Sequence, residues 1–400
     1  MSELVDRVRH RLVSAPSELD DAVRAEADGI VDDAVFAALR REVDAELIGA
    51  GPLEPLLALP DVSDVLVNAP DSVWIDRGRG LERAGVRFGD DAAVRRLAQR
   101  LAASAGRRLD DAMPFADVAL PDGTRLHAVL PPVCASTTLS LRVLARRRLD
   151  VDALIARGAM SRPVADLLAA VVAARLAFVI SGGTGAGKTT LLGALLGLVP
   201  PDERVLIIED AAEIALPSHC VRLVTRTANV EGAGAVELRE LVRQSLRMRP
   251  DRLIVGEFRG AEMVELLVAL NTGHEGGAAT LHANSAADVP ARLLALGGLA
   301  GLPAAAVTSL VASALSVVIA LRRLRDGTRV VDEIGLLDRA GDALAVYPAW
   351  TRTAGLSGAA RRLADELAAR EARVPELLLW ERGEPTMGIG PGRIEVTVGL

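Results

Sequence analysis

Apolar residues recur at helical spacing through the first 45 positions, as in VDDAVFAALRREVDAEL, and predict an N-terminal helical segment over 1–45. GAGPLEPLLALP is a turn-rich break, and after it the pattern changes. DVSDVLVNAPDSVWID predicts two short strands around a turn, and DDAAVRRLAQRLAASAG an amphipathic helix. ADVALPDGTRLHAVLPP reads as a strand, a PDG turn and a strand; TTLSLRVL adds another strand. Together they predict a small α+β domain over 46–146. The charged, helical stretch ARRRLDVDALIARGAMS predicts a linker over 147–161.

From Arg162 onward the texture is different. A helix leads into the strand LAFVIS, a glycine-rich loop and a helix beginning at Lys188; RVLIIED, RLIVGE and AATLHA follow as strands separated by helical segments. Strands alternating with helices predict an α/β domain, a sheet with helices on its faces, over 162–340. Residues 341–400 form a tail to which the pattern assigns no role. Two apolar stretches are long enough to be weighed as membrane spans, 164–180 and 304–321. The first carries Asp166 and Arg175. The second ends in β-branched residues followed by RDGTRVVDEIGLL, so it reads as a buried helix running into a hairpin. The N-terminal sequence is charged throughout, without the apolar core of a signal peptide.

Composition changes the picture at one point. Half the residues are hydrophobic, mostly Ala, Val and Leu, and the net charge is −7, which argues against direct nucleic-acid binding. Cys134 and Cys220 lie far apart, without metal-ligand spacing, and read as reduced thiols. Every basic side chain but one is arginine; the exception is Lys188, in SGGTGAGKTT.

Gly182 to Thr189 fits G-x-x-x-x-G-K-[ST] between a predicted strand and a predicted helix. Such glycines let consecutive N–H groups turn inward onto phosphate oxygens, and the helix N-terminus adds its partial positive charge. A compact ammonium reaches the β- and γ-phosphates where a planar guanidinium does not fit. The candidate nucleotide-binding residues are therefore Gly182, Gly183, Thr184, Gly185, Ala186, Gly187, Lys188, Thr189 and Thr190, with ATP and Mg²⁺ as the expected ligands. Thr189 is the expected magnesium ligand from the loop. Carboxylates at strand ends can hold the metal or position water: Glu209, Asp210 and Glu213 in IIEDAAEIAL, and Glu257 in LIVGEFRG, where Gly256 occupies the place of the usual Walker B aspartate. His274 and His282, in TGHEGGAATLHANS, are candidates to sense or orient the γ-phosphate or its water.

In this order, GGTGAGKTT, IIEDAAEIAL, RMRPDRLIVGEFRGAE and NTGHEGGAATLHANS resemble the Walker A loop, aspartate box, atypical Walker B and histidine box of the type II and type IV secretion ATPases. The closest resemblance is to the CpaF-like branch that powers Tad (Flp) pilus assembly. It runs from about Glu46 to about Asp338, and the glycine at 256 is part of that family's pattern. The resemblance implies a RecA-like P-loop NTPase motor joined to a smaller N-terminal α+β domain, a homo-hexameric ring, and nucleotide between the two domains. It implies that Arg125 and Arg142 reach the nucleotide from the N-terminal domain. It favours Glu213 as the residue acting on the attacking water and Glu257 as a partner of metal-bound water, a ranking the residues alone leave open. The implied protein is a cytoplasmic ATPase held at the inner membrane through a platform protein of a pilus or secretion system. Three other readings stay open: a type IV secretion or conjugation ATPase, a nucleotide-gated scaffold without turnover, and a small-molecule kinase, for which no acceptor pocket or lid segment is evident. Arg239, Arg243 and Arg247 lie four apart on one predicted helix and face either a neighbouring subunit or a solvated stripe with Glu237 and Glu240.

Overall fold

The computed structural model of the chain describes residues 49–78, 80–143, 149–217, 219–226 and 233–379, together with 7–8, 10–11, 19–26, 36–37, 40 and 43. Much of the predicted 1–45 segment, part of the predicted linker and residues 380–400 of the tail lie outside the described residues. The chain divides into two compact units. The first comprises Met1–Arg146 with Ala211–Glu213 and Arg226–Val236; the second comprises Arg147–Asp210, Ile214–Thr225 and Glu237–Leu400.

The first unit is built on a six-stranded sheet. Its strands are β1 (Asp64–Ala69), β2 (Ser72–Asp76), β3 (Leu81–Arg83), β4 (Phe115–Ala119), β5 (Arg125–Val129) and β6 (Thr138–Arg142), in the order β3-β2-β1-β6-β5-β4. All neighbours are antiparallel. Alternate residues of β1, β5 and β6 are buried, as expected of a sheet with one covered face. The cover includes the helix Asp91–Ser104, which buries Val94, Leu97, Ala98, Leu101 and Ala102. Asp90 caps that helix by accepting from Ala93 N at 2.7 Å. Asp91 holds Thr137, accepting from its N–H at 2.7 Å and its hydroxyl at 3.0 Å.

The second unit has a nine-stranded sheet of β7 (Phe178–Ser181), β8 (Val205–Glu209), β9 (Cys220–Val224), β10 (Arg252–Val255), β11 (Ala278–Leu281), β12 (Val317–Arg323), β13 (Arg329–Ala340), β14 (Ala343–Thr351) and β15 (Gly355–Leu356). The order is β15-β14-β13-β12-β7-β11-β10-β8-β9. From β12 to β9 every neighbour is parallel, and β13, β14 and β15 continue the edge antiparallel. Strands β7, β8, β10 and β11 are buried at every position, because helices cover both faces. The helices Arg162–Ala173, Lys188–Leu196 and Ala360–Ala369 pack into one core. The helices Leu238–Ser245, Glu262–Leu270, Val289–Leu299 and Ala304–Ala314 pack into the other.

Both stretches weighed as membrane spans resolve into a helix followed by a central strand, and among the described residues no helix is long and apolar enough to cross a membrane. The segment from 341, to which the sequence assigned no role, supplies β14, β15 and the helix Ala360–Ala369 through residue 369. Leu363 and Leu367 of that helix are fully buried. Arg239 and Arg243 settle on a partner the sequence did not offer: both donate to Glu265 Oε1 on the adjacent helix, at 2.7 and 2.8 Å.

Candidate functional site

Strands β7, β8, β10 and β11 run parallel, so the residues that follow them emerge at one edge of the sheet. That edge is the usual ligand side of an open α/β fold. The phosphate loop follows β7. Its last glycine, Gly187, caps the helix Lys188–Leu196 with φ 94°, a conformation that excludes most side chains. Gly182 adds a steric reason: a Cβ there would stand 2.9 Å from Leu321 O.

Lys188 is buried, with 7% of its surface accessible. Its Nζ donates to Gly182 O at 3.0 Å and Gly183 O at 3.1 Å, and lies 3.3 Å from His282 Nδ1. His282 directly follows β11. Its Nε2 is 2.6 Å from Glu257 Oε1. Burial, followed by the Lys188 ammonium, pushes the His282 pKa below the usual imidazole value; Glu257 opposes the shift without reversing it. A neutral ring fits this geometry: Nδ1 accepts from the ammonium, and the Nε2 proton points at the carboxylate.

Glu257 continues the line. Arg259 Nε donates to its Oε2 at 2.6 Å, and Arg259 Nη1 donates to Asp210 Oδ2 at 3.1 Å. The ends of β10 and β11 are tied together as well. Thr280 Oγ1 donates to Gly256 O at 2.7 Å, and Phe258 N donates to Thr280 O at 2.9 Å. Lys188, His282, Glu257, Arg259 and Asp210 therefore form one connected polar line along the strand ends. Arg259 belongs to the line although no motif names it; its place two residues after Glu257 is the signal for it.

Other candidates are placed differently. Glu209 is buried and committed: Oε1 accepts Ile214 N at 2.9 Å, and Oε2 is 2.9 Å from Arg222 Nε. A Cβ at Gly256 would meet Glu209 Cγ at 2.9 Å, so this glycine is where the Glu209 side chain crosses. His274 precedes β11 and so lies at the opposite edge of the sheet from His282. Its Nδ1 is 3.2 Å from Ala269 O. Of the glycines near it, Gly276 and Gly277 serve packing against the protein itself, whereas a Cβ at Gly273 would meet nothing within 4 Å. A Cβ at Gly277 would meet Leu270 Cδ2 at 2.4 Å and Leu253 O at 2.9 Å. Within one chain the structure does not bring His274 to the phosphate loop.

Arg125 and Arg142 are direct cross-strand partners on β5 and β6 of the first unit. Arg142 pairs with Asp64 at 3.4 Å and Arg125 with Asp117 at 3.3 Å. Glu213 clusters with that unit, 3.5 Å from Arg125 Nη1.

Magnesium takes oxygen donors, commonly one or two carboxylates plus substrate phosphates. Thr189, Asp210 and Glu257 fit that donor set. Glu209 does not, because it is buried beneath the strand ends between Ile214 N and Arg222, whereas Asp210 and Glu257 are more open and meet the exposed side chain of Arg259. Among the described residues no group of three or more His, Cys, Asp or Glu forms a metal cage.

A glycine-rich phosphate loop at the ligand edge of a mostly parallel sheet, with an imidazole turned toward its lysine and a carboxylate on the far side of that imidazole, makes the second unit a RecA-like P-loop NTPase domain. Comparison with known proteins narrows the class. The profile of the family described as "Type II/IV secretion system protein" matches residues 46–363, and the chain belongs to that family. The match extends past Asp338, where the motif resemblance ends, into the helix Ala360–Ala369. The chain is 55% identical over 338 residues to a "Putative conjugal transfer protein" of Mycobacterium tuberculosis, covering 82% of this chain and 96% of the relative. It is 33% identical to the type IV secretion system protein PtlH of Bordetella pertussis, covering 70% of this chain and 92% of the relative. The X-ray structure of the ATPase DotB of Legionella pneumophila shares the fold, with a TM-score of 0.50 at 20% identity over 77% of this chain and 82% of that one.

Proposed function

We propose that this chain hydrolyses ATP and passes the work to an inner-membrane platform of a pilus or secretion machine. The observation that carries the reading is the seat of Lys188, against two loop carbonyls and one nitrogen of a histidine whose other nitrogen faces Glu257. An ammonium held there needs only to exchange carbonyl acceptors for phosphate oxygens when nucleotide enters the loop. Neutral His282 then faces that region without adding charge, and Glu257 holds its tautomer. Bound magnesium would neutralise phosphate charge, with Thr189, Glu257 and Asp210 as the residues that would hold it. Glu213 is the proposed residue acting on the attacking water, and Arg125 and Arg142 are proposed to reach the phosphates with always-charged guanidinium forks. Loss of the γ-phosphate would release those contacts and let the domains move within a hexameric ring.

Magnesium-dependent release of inorganic phosphate by the purified oligomer tests the reading. Lys188→Ala is expected to lower turnover by on the order of 100-fold or more. No phosphate release by the wild-type oligomer would sink the hydrolysis reading. A Lys188→Ala protein that still supports assembly in cells would favour a nucleotide-gated scaffold.

The motif pattern supports Tad (Flp) pilus assembly as the machine. The names of the relatives support a second reading, a conjugal transfer or type IV secretion ATPase. Deleting the gene separates the two: the first predicts loss of surface pili, the second loss of plasmid or effector transfer with pili intact.

A further inference from the structure

The groups described so far come from strands on one side of the loop. The other side is bounded by the β12–β13 hairpin, LRRLRDGTRV, which the sequence reads as a hairpin without tying it to the site. Strand β12 pairs in parallel with β7 itself, with Ala320 level with Ser181, so its continuation rises beside the loop. Leu321 O already limits the space at Gly182. Two residues further on, Arg323 lies directly across the hairpin from Arg329, and both side chains are exposed.

Arg329 touches the loop, and Arg323 lies beside it. Arg329 Nε donates to Gly185 O at 2.8 Å, and its Cδ would lie 3.2 Å from a Cβ at Gly187. Arg323 Nη1 would lie 3.9 Å from a Cβ at Gly185. Arg322 occupies the opposite face of β12 and pairs with Asp332 at 2.9 Å. Like charges directly opposite across a strand pair repel each other. Here the pair stands beside a loop whose backbone N–H groups are arranged for anions, so two positive charges lie next to that anion site.

We propose that Arg323 and Arg329 contact the phosphates of the bound nucleotide, gripping them from the side of the loop opposite His282 and Glu257. The inference rests on the nucleotide reading above. Planar guanidinium forks suit phosphate oxygens at the rim, whereas the compact ammonium of Lys188 suits the interior of the loop.

The test is the dissociation constant of a fluorescent ADP analogue, measured across a salt series. The proteins compared are wild type, Arg323→Gln, Arg329→Gln, the double variant and Arg322→Gln. Each hairpin substitution is expected to weaken binding about tenfold. The double variant should also show a shallower dependence of affinity on salt, and Arg322→Gln should match wild type. Arg323→Lys should recover part of the loss. Unchanged affinity in the double variant, or weaker binding with an unchanged salt dependence, would overturn the inference while leaving the nucleotide reading intact. Wild-type protein that binds no nucleotide would overturn both.

Discussion

Gly256 shows how one atom sets the layout of the site. The Glu209 side chain crosses position 256, where an added Cβ would approach Glu209 Cγ to 2.9 Å. The acid next in the sequence, Glu257, instead faces His282. Gly256→Ala should cost about 1–3 kcal/mol, the usual penalty of overpacking, and Gly256→Asp more, because it sets a second carboxylate against Glu209. Urea unfolding checks both. His282 gives a pH prediction. Its pKa is depressed, chiefly by burial and then by Lys188, so the ring is neutral at neutral pH. As pH falls through that depressed value, below the ordinary value of about 6.5, a positive charge appears 3.3 Å from Lys188 Nζ. Nucleotide turnover should therefore be flat at neutral pH and fall on the acid side, and His282→Asn should remove that acid limb from the profile. The stability effect has the same sign: a depressed imidazole contributes above its unfolded pKa, and the contribution is lost as pH falls through the folded one.

Among the elements, the helix Ala360–Ala369 matters more than its place in the sequence suggests. It follows the antiparallel extension β13-β14-β15 and buries Ala360, Leu363, Ala364 and Leu367 against the core that holds the phosphate-loop helix. Leu363→Ala should cost about 2–5 kcal/mol, the range for a fully buried leucine, measured as a shift of the urea midpoint at constant slope. The pattern did not announce this role because ARRLADELAA is amphipathic in a way that suits a surface tail equally well. Arg239 and Arg243 make the same point: their spacing was legible, but the identity of Glu265 as their shared partner depends on which helix packs beside theirs.

At the scale of the whole molecule, membership of the type II/IV secretion family meets a chain in which no described helix is long and apolar enough to cross a membrane. The proposed work at a membrane predicts a second, membrane-embedded protein that receives it. Crosslinking in cells should capture a membrane-embedded partner, identified by mass spectrometry. Repeated recovery of none would count against the motor reading while leaving nucleotide hydrolysis untouched.

The phosphate loop, the order of the acidic and histidine boxes and the alternation of strands and helices were all readable from the amino-acid sequence. Each is local: a turn, a cap or a hydrophobic period is set by a few consecutive residues. What the tertiary structure alone decided is which strand ends are neighbours. It joined Lys188, His282 and Glu257 from three separate segments, withdrew Glu209 into a buried pair with Arg222, and left His274 before β11 while His282 follows it. It also set the Arg323–Arg329 hairpin beside the loop, because β12 pairs with β7. Those outcomes follow from burying a sheet on both faces, a condition met by the chain as a whole that no short stretch of it records.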